Sequence, residues 1–278
     1  MVFAVTSMLS VGFGHTVREI IGPLRHARGV MRALVANFVL VPLLAFGVAR
    51  LLSLNRPLEI GLMLIAMAAG APFLIKLTEH ADHDIGLSAT LLVLLLPATV
   101  LYMPLVVPLV VPNATVDAWS IAMPLLLTML LPLGIGLLVR ERSPAWAEVL
   151  QPFMGRTSSI ALLVLMATTC VANLRGILNI LGTGAIIGAF LIGYALGGHD
   201  RETRGVLGLA TGQRNIAAAT VVANQGFGDP GILVMVVTSS LVGLALLFPT
   251  ARILRQRLAR RAAIGTGGRR RKQNLSRR

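Results

Sequence analysis

The stretch Gly205–Asn224 reads GVLGLATGQRNIAAATVVAN, and what happens in its middle decides the fold. Its flanks, GVLGLA and IAAATVVA, are apolar enough to lie in a bilayer. Between them Thr211-Gly212-Gln213-Arg214-Asn215 is polar, holds a glycine and carries a full positive charge. Polar or unwound backbone at membrane depth is tolerated only where protein or water covers it. The interruption therefore predicts a broken transmembrane helix that forms half of a transport site.

Composition places this stretch in a membrane. Of the 278 residues 55% are hydrophobic and only 13% charged, and the apolar runs exceed the roughly 17–25 residues that cross a bilayer as a helix. A soluble domain would have to hide too much apolar surface. The lone cysteine, Cys170, excludes an intramolecular disulfide and a cysteine metal cluster. The opening MVFAVTSMLSVGF has no basic residue before its apolar part and no A-x-A site, so it is expected to be a short first span and not a signal peptide.

Charged residues and Pro/Gly/Asn punctuation divide the chain into nine expected spans, at about 2–14, 30–52, 58–82, 85–111, 118–139, 149–172, 176–198, 204–224 and 231–251. The fold class expected is thus an all-α polytopic membrane protein. Pro42, Pro97, Pro104, Pro124 and Pro132 are compatible with membrane helices, and Pro97, Pro104 and Pro108 are expected to kink the fourth span. With the carboxyl end cytoplasmic, the inner loops collect Arg18, Arg25, Arg28, Arg32, Arg140, Arg142, Arg201 and Arg204, against Arg50, Arg56 and Arg175 outside. Nine spans then put the amino terminus outside, in a plasma or inner membrane. The tail, 253–278, is basic and contributes to a net charge of +14. Directly after a span, it is better read as a topology anchor touching anionic lipid than as a nucleic-acid arm. From Gly265 onward GTGGRRRKQNLSRR is expected to be disordered.

The third span holds a second interruption. GLMLIAMAAGAPFLIKLTEHADHD is apolar to Ala69, breaks at Gly70-Ala71-Pro72, and places Lys76 and Glu79 in a short second half. Alone it reads equally well as an ordinary proline kink. Two glycine-interrupted spans five apart point instead to inverted repeats, spans one to four and six to nine, with a site between the breaks. The odd offset gives the second copy the opposite orientation that inversion requires.

MLSVGF, GLMLIAMAAGAPFLIKLTEHADHDIGLSATLLVLLLP and above all LATGQRNIAAATVVA resemble the bile acid:sodium symporter family, in the superfamily that also holds arsenite and auxin-type carriers. The resemblance covers about residues 1–252. It implies a nine-helix form, natural or truncated, of a ten-helix fold, with a panel at about 1–14 and 118–172 and a core at about 30–111 and 176–252. In the core two broken helices cross near the bilayer centre, and movement of core against panel alternates access. Ala210 and Arg214 stand where sodium-coupled members have the acid and glutamine of Glu-x-Gly-x-Gln-Asn, and Leu74 and Ile75 where they have Ser-Asn. Ser88 matches a sodium-site serine and is the one residual ion-site candidate. A hard cation needs several oxygen ligands, so sodium binding is not expected.

Arg214 would place a permanent positive charge about where sodium would sit. Protein counter-ions are limited mainly to Glu79, Asp82 and Asp84. The chain is therefore expected to be a secondary transporter of a small organic anion, with Arg214 in place of a bound cation and Lys76 secondary. Thr211, Gly212, Gln213, Asn215, Gly70 and Pro72 complete the expected substrate site, helped by half-helix amino termini near Asn215 and Phe73. The alternatives are sodium or proton coupling on the same fold, a receptor or structural protein that lost transport, or an Arg214 that merely pins the broken helices through carbonyls. No catalytic residue, cofactor or metal is expected. Gly226-Phe227-Gly228-Asp229 spells an aspartyl-protease string without a second aspartate and reads as a turn before Pro230. Ser88 lacks an activating histidine, and the five histidines lack metal-ligand spacing beyond the weak His80…His83 pair. The small residues of GTGAIIGAFLIGYALGG are expected to let helices pack closely. Asn113-Ala114-Thr115 fits a glycosylation acceptor.

Overall fold

The structure, a computed structural model, describes residues 2–21, 27–111, 117–172 and 181–275. Asn113-Ala114-Thr115, Arg25, Arg175 and the start of the seventh expected span lie outside these residues. Among the described residues every regular element is helical. The chain starts with α1 (Val2–Gly14) and a short α2 (Val17–Ile21). A long helix follows as α3 (Ala27–Val35), a π turn (Ala36–Leu40) and α4 (Val41–Leu51). The third expected span is split into α5 (Arg56–Met67) and α6 (Leu74–His80). Then come α7 (Ile85–Val110), α8 (Ala118–Leu125), a second π turn (Leu126–Leu130) and α9 (Leu131–Arg142). The chain closes with α10 (Pro144–Ala172), α11 (Leu181–Leu196), α12 (Arg201–Gly212), α13 (Ile216–Gly226) and α14 (Pro230–Leu275).

Among the described residues four stretches are long and apolar enough to cross a membrane: Arg28–Leu51, Ile85–Val110, Ala118–Arg142 and Pro230–Arg257. Val2–Gly14 and Gly184–Leu196 are shorter apolar helices. The protein is an integral membrane protein. α14 stays helical through the basic stretch to Leu275, where composition led us to expect disorder from Gly265. α7 runs through Pro97, Pro104 and Pro108 without a break in its helical assignment.

Helix starts follow local chemistry. Asn55, Asp84, Asp117, Asp200 and Asn215 each precede a helix and accept a backbone N–H of its first turn, as short polar side chains at this position do. Both π turns lie just ahead of a proline, Pro42 or Pro132, whose missing N–H leaves a carbonyl without its helical partner. At the first of them the freed Phe38 carbonyl accepts the Tyr102 hydroxyl at 2.7 Å.

α1 packs along α9 and α10, while α11, α12, α4, α5 and α14 pack on one another. At Gly193 on α11 a Cβ would lie 2.4 Å from the Leu207 carbonyl oxygen and 2.4 Å from Thr211 Oγ1 on α12, so only glycine lets these helices approach so closely. Gly226-Phe227-Gly228-Asp229 forms the turn into α14, where Asp229 Oδ1 accepts the Gly231 N–H at 2.7 Å.

Candidate functional site

Both interruptions are present, and they touch. α5 ends at Met67 and α6 begins at Leu74; α12 ends at Gly212 and α13 begins at Ile216. At Gly70 φ is +73°, and a Cβ there would sit 2.6 Å from the Leu96 nitrogen of α7. Glycine is demanded there by backbone angle and by the close approach of α7. Exposed to lipid, the loosened peptides would be costly. Here they are claimed by neighbours. The Thr99 hydroxyl accepts the Ala69 N–H and donates to the Ala69 carbonyl, both at 3.0 Å. Asn215 donates its N–H to the Ala68 carbonyl at 2.8 Å and its Nδ2 to the Gly70 carbonyl at 2.9 Å. The same side chain caps α13 through the Ala218 N–H at 3.1 Å.

Arg214 is the centre of the junction and is only 7% exposed. Nε donates to the Ile65 carbonyl at 3.2 Å, Nη1 to Asn37 Oδ1 at 2.6 Å and to the Thr211 carbonyl at 3.3 Å. Nη2 donates to the Asn37 carbonyl at 3.4 Å and to the Ala66 carbonyl. A guanidinium has five N–H donors, and all five are thus engaged by oxygens from α5, α12 and the first π turn. Glu79, Asp82 and Asp84, the acids named above as counter-ions, form no ion pair with it. Among the described residues the ion pairs are His15–Glu19, Arg50–Glu59 and Arg140–Glu148, and none includes Arg214. Neutral oxygens surround a buried positive charge, as carbonyls surround a bound cation.

A cavity of about 310 Å³ opens beside this junction, walled by α1, α10, both breaks and α14. Pro72, Lys76, Gln213 and Arg214 line it, so four of the expected substrate residues share one space. Lys76 donates from Nζ to Ser159 Oγ of α10 at 2.9 Å, with the ammonium 5.4 Å from the Phe73 ring centre. The Gln213 amide, 6% exposed, makes no hydrogen bond to the described residues. Thr211, Asn215 and Gly70 do not line the cavity; Asn215 and Gly70 join the two breaks, while Thr211 donates its hydroxyl to the Leu207 carbonyl within α12 and offers its own carbonyl to Arg214. Gly212 faces a second cavity of about 30 Å³. Ser88 lies apart from both, donating to the Ile85 carbonyl at 2.8 Å. Phe73 and Asn215 are the caps of α6 and α13, as the half-helix reading expects. Among the described residues no group of three or more His, Cys, Asp or Glu could hold a metal ion.

Asn37 and Thr99, both fully buried, are essential to this geometry and were not singled out from the sequence. Each is one polar residue in an apolar span. The signal for Asn37 is Pro42 five residues on, which loosens the helix there; Thr99 carries no comparable signal.

A family model described as Sodium Bile acid symporter family matches residues 1–181, a stretch that includes the first break and stops before the second. The chain is 24% identical over 263 residues to "Probable sodium/metabolite cotransporter BASS5, chloroplastic" of Oryza sativa subsp. indica, covering 86% of this chain and 66% of that protein. It is 25% identical over 235 residues to the protein of the same description numbered BASS3 from Arabidopsis thaliana, with 80% and 54% covered. Against BASS1 of Arabidopsis thaliana it is 25% identical over 234 residues, with 81% and 58% covered. The chain spans less than two thirds of the length of these relatives.

Proposed function

The chain belongs to the sodium bile acid symporter family, and from that premise we propose that it is a secondary transporter of a small organic anion, working by alternating access, with Arg214 in place of a coupled cation. The observation that carries this reading is the guanidinium held by five oxygens of the two broken helices and the first π turn. With every N–H engaged, Arg214 acts on an anion through its field and not through a direct hydrogen bond. At an effective dielectric of about 20 that field is worth about 2–4 kcal/mol for a unit charge roughly 4–8 Å away. Of the expected substrate residues, those with hydrogen-bonding capacity left over in the same cavity are Gln213 and Lys76. The same contacts also pin the two breaks together; pinning and field are one device, since the charge must be held rigidly to act at a set place.

The packing of α1 along α9 and α10 supports a panel, and the joined breaks support a core built from inverted repeats. The reading keeps nine spans, an outside amino terminus and a cytoplasmic, lipid-facing tail. A second reading, sodium-coupled symport, is favoured by the words sodium/metabolite cotransporter in the relatives' descriptions. Uptake of labelled carboxylates into proteoliposomes, with sodium present or replaced by choline, separates the two. Wild-type uptake is expected to be unchanged by sodium removal and to fall at least tenfold in Arg214→Gln. Loss of wild-type uptake without sodium establishes the second reading, and normal sodium-independent uptake by the variant ends the first.

A further inference from the structure

The smaller cavity does not belong to the larger one. None of its lining residues comes from α1 or α10; it lies within the packing of α4, α5, α11 and α14, against the second break. Its volume of about 30 Å³ exceeds the roughly 10–15 Å³ that one water-sized occupant requires and is far too small for an organic substrate. Two features of its wall are unexplained by packing. Ser239, 4% exposed, has a hydroxyl with no hydrogen-bond partner, although buried hydroxyls are nearly always paired. Gln213 reaches this cavity as well as the larger one, and its amide has no partner among the described residues. Ser240, also on the wall, spends its hydroxyl on the Val236 carbonyl at 2.8 Å, and the fourth polar side chain there is Arg214, whose charge is matched by no ion pair among the described residues.

A hydroxyl and an amide, both able to donate, thus belong to residues on the wall of a space bordered by a full positive charge. That charge opposes any cation there. A water molecule would pair with the hydroxyl and leave the charge uncompensated, whereas a monovalent anion of similar size accepts from both donors and compensates it.

We propose that this cavity is a binding site for one chloride-sized inorganic anion, held by the Ser239 hydroxyl and the Gln213 amide beside Arg214. The ion supplies the counter-charge while the larger cavity is empty. A substrate anion in the larger cavity shares the same cation, so each weakens the other's binding by an equal factor; this part rests on the transport reading above.

The test uses the purified full chain in detergent with no organic anion present. Its unfolding midpoint is followed against chloride and bromide, at ionic strength held constant with sulfate. The midpoint is expected to rise with halide concentration in the manner of single-site binding. Ser239→Ala is expected to raise the half-saturating concentration about tenfold, the effect of one lost hydrogen bond to an anion. Ser239→Thr, which keeps the hydroxyl, is expected to stay near wild type. Should the alanine variant fail to fold, bromide anomalous scattering from wild-type crystals reads the site directly, with a peak within hydrogen-bond reach of Ser239 Oγ. A midpoint indifferent to halide, an unchanged halide response in Ser239→Ala, or water alone beside Ser239 would each overturn the proposal. None of these outcomes touches the transport reading, because no substrate is present. Failure of carboxylate uptake with the halide response intact would in turn leave the ion site standing.

Discussion

Asn215 holds the two breaks together with a single residue: its N–H and Nδ2 reach the Ala68 and Gly70 carbonyls, and its Oδ1 caps α13. Truncation to alanine removes the cap, worth about 1 kcal/mol, and orphans a buried carbonyl, at about 1–3 kcal/mol. Asn215→Ala is therefore expected to destabilise by about 2–4 kcal/mol, measured as the change in chemical unfolding midpoint in detergent. Asn37→Ala is expected to do similar damage by another route. It deprives a buried guanidinium N–H of its Oδ1 acceptor, a charge-assisted bond and so about twice as strong as a neutral one. A loss under about 0.5 kcal/mol for either variant would mean that water replaces these contacts. At this scale the sequence is informative where polarity clusters. Thr211 to Asn215 stand out because five polar or small residues interrupt an apolar run. Asn37 and Thr99 do not, since one amide or hydroxyl in a span is common and its partner lies at Thr211, Arg214 or Ala69, far along the chain. The acids at 79, 82 and 84 were reasonable counter-ions on charge alone, yet backbone carbonyls, which leave no trace in a sequence, hold the guanidinium instead.

Elements, in contrast to side-chain partners, carry their signal locally. Gly70-Ala71-Pro72 marks the end of one helix because proline removes a donor and glycine admits a positive φ, and the structure breaks there with Gly70 at +73°. The three prolines of α7 have no such effect, as the helix continues through them with neighbours on its buried side. Gly70→Ala tests the break itself. A Cβ at 2.6 Å from the Leu96 nitrogen must displace α7 or the break, and the left-handed angle adds about 1–2 kcal/mol. Uptake by this variant is expected to be abolished even if protein is recovered, whereas Gly134→Ala, with open space around its Cβ, is expected to behave as wild type. α6 is tied to α10 by the Lys76–Ser159 hydrogen bond, a contact between the elements expected to move apart in the transport cycle. Lys76→Met is expected to raise the apparent KM for a carboxylate about tenfold, through loss of a cation in the cavity. Ser159→Ala keeps the cation and removes only the tie, so its KM is expected to stay within about twofold while the maximal rate rises. Equal KM values in the two variants would show that Lys76 serves packing and not the substrate.

For the molecule as a whole, the charge carried per cycle follows from what fills the junction. A carrier that moves a monoanion beside a guanidinium it never releases transfers one net negative charge, whichever half of the cycle moves Arg214. A membrane potential does about 2.3 kcal/mol of work per charge per 100 mV, so 60 mV, inside positive, is expected to sustain about tenfold accumulation of a monovalent carboxylate. Sodium symport with more than one sodium per monoanion requires the opposite sign, and accumulation would then need an inside-negative potential. Proteoliposomes clamped with a potassium ionophore, in chloride-free sulfate buffer so that the small cavity's ion does not enter the balance, distinguish these outcomes by direction alone. Inside-negative accumulation that vanishes without sodium would show that the guanidinium has not displaced the coupling ion. That so much hangs on one side chain also explains what the sequence conveys about the whole. Apolar runs and the two polar breaks make a membrane-embedded, all-helical chain with a central discontinuity legible, because bilayer thickness and backbone hydrogen bonding impose them on any sequence. The coupling ion is not legible in the same way, since the exchange proposed here, of a released sodium for a tethered guanidinium, rests on a few side chains at 74, 75, 210 and 214 and on carbonyl oxygens that no sequence displays.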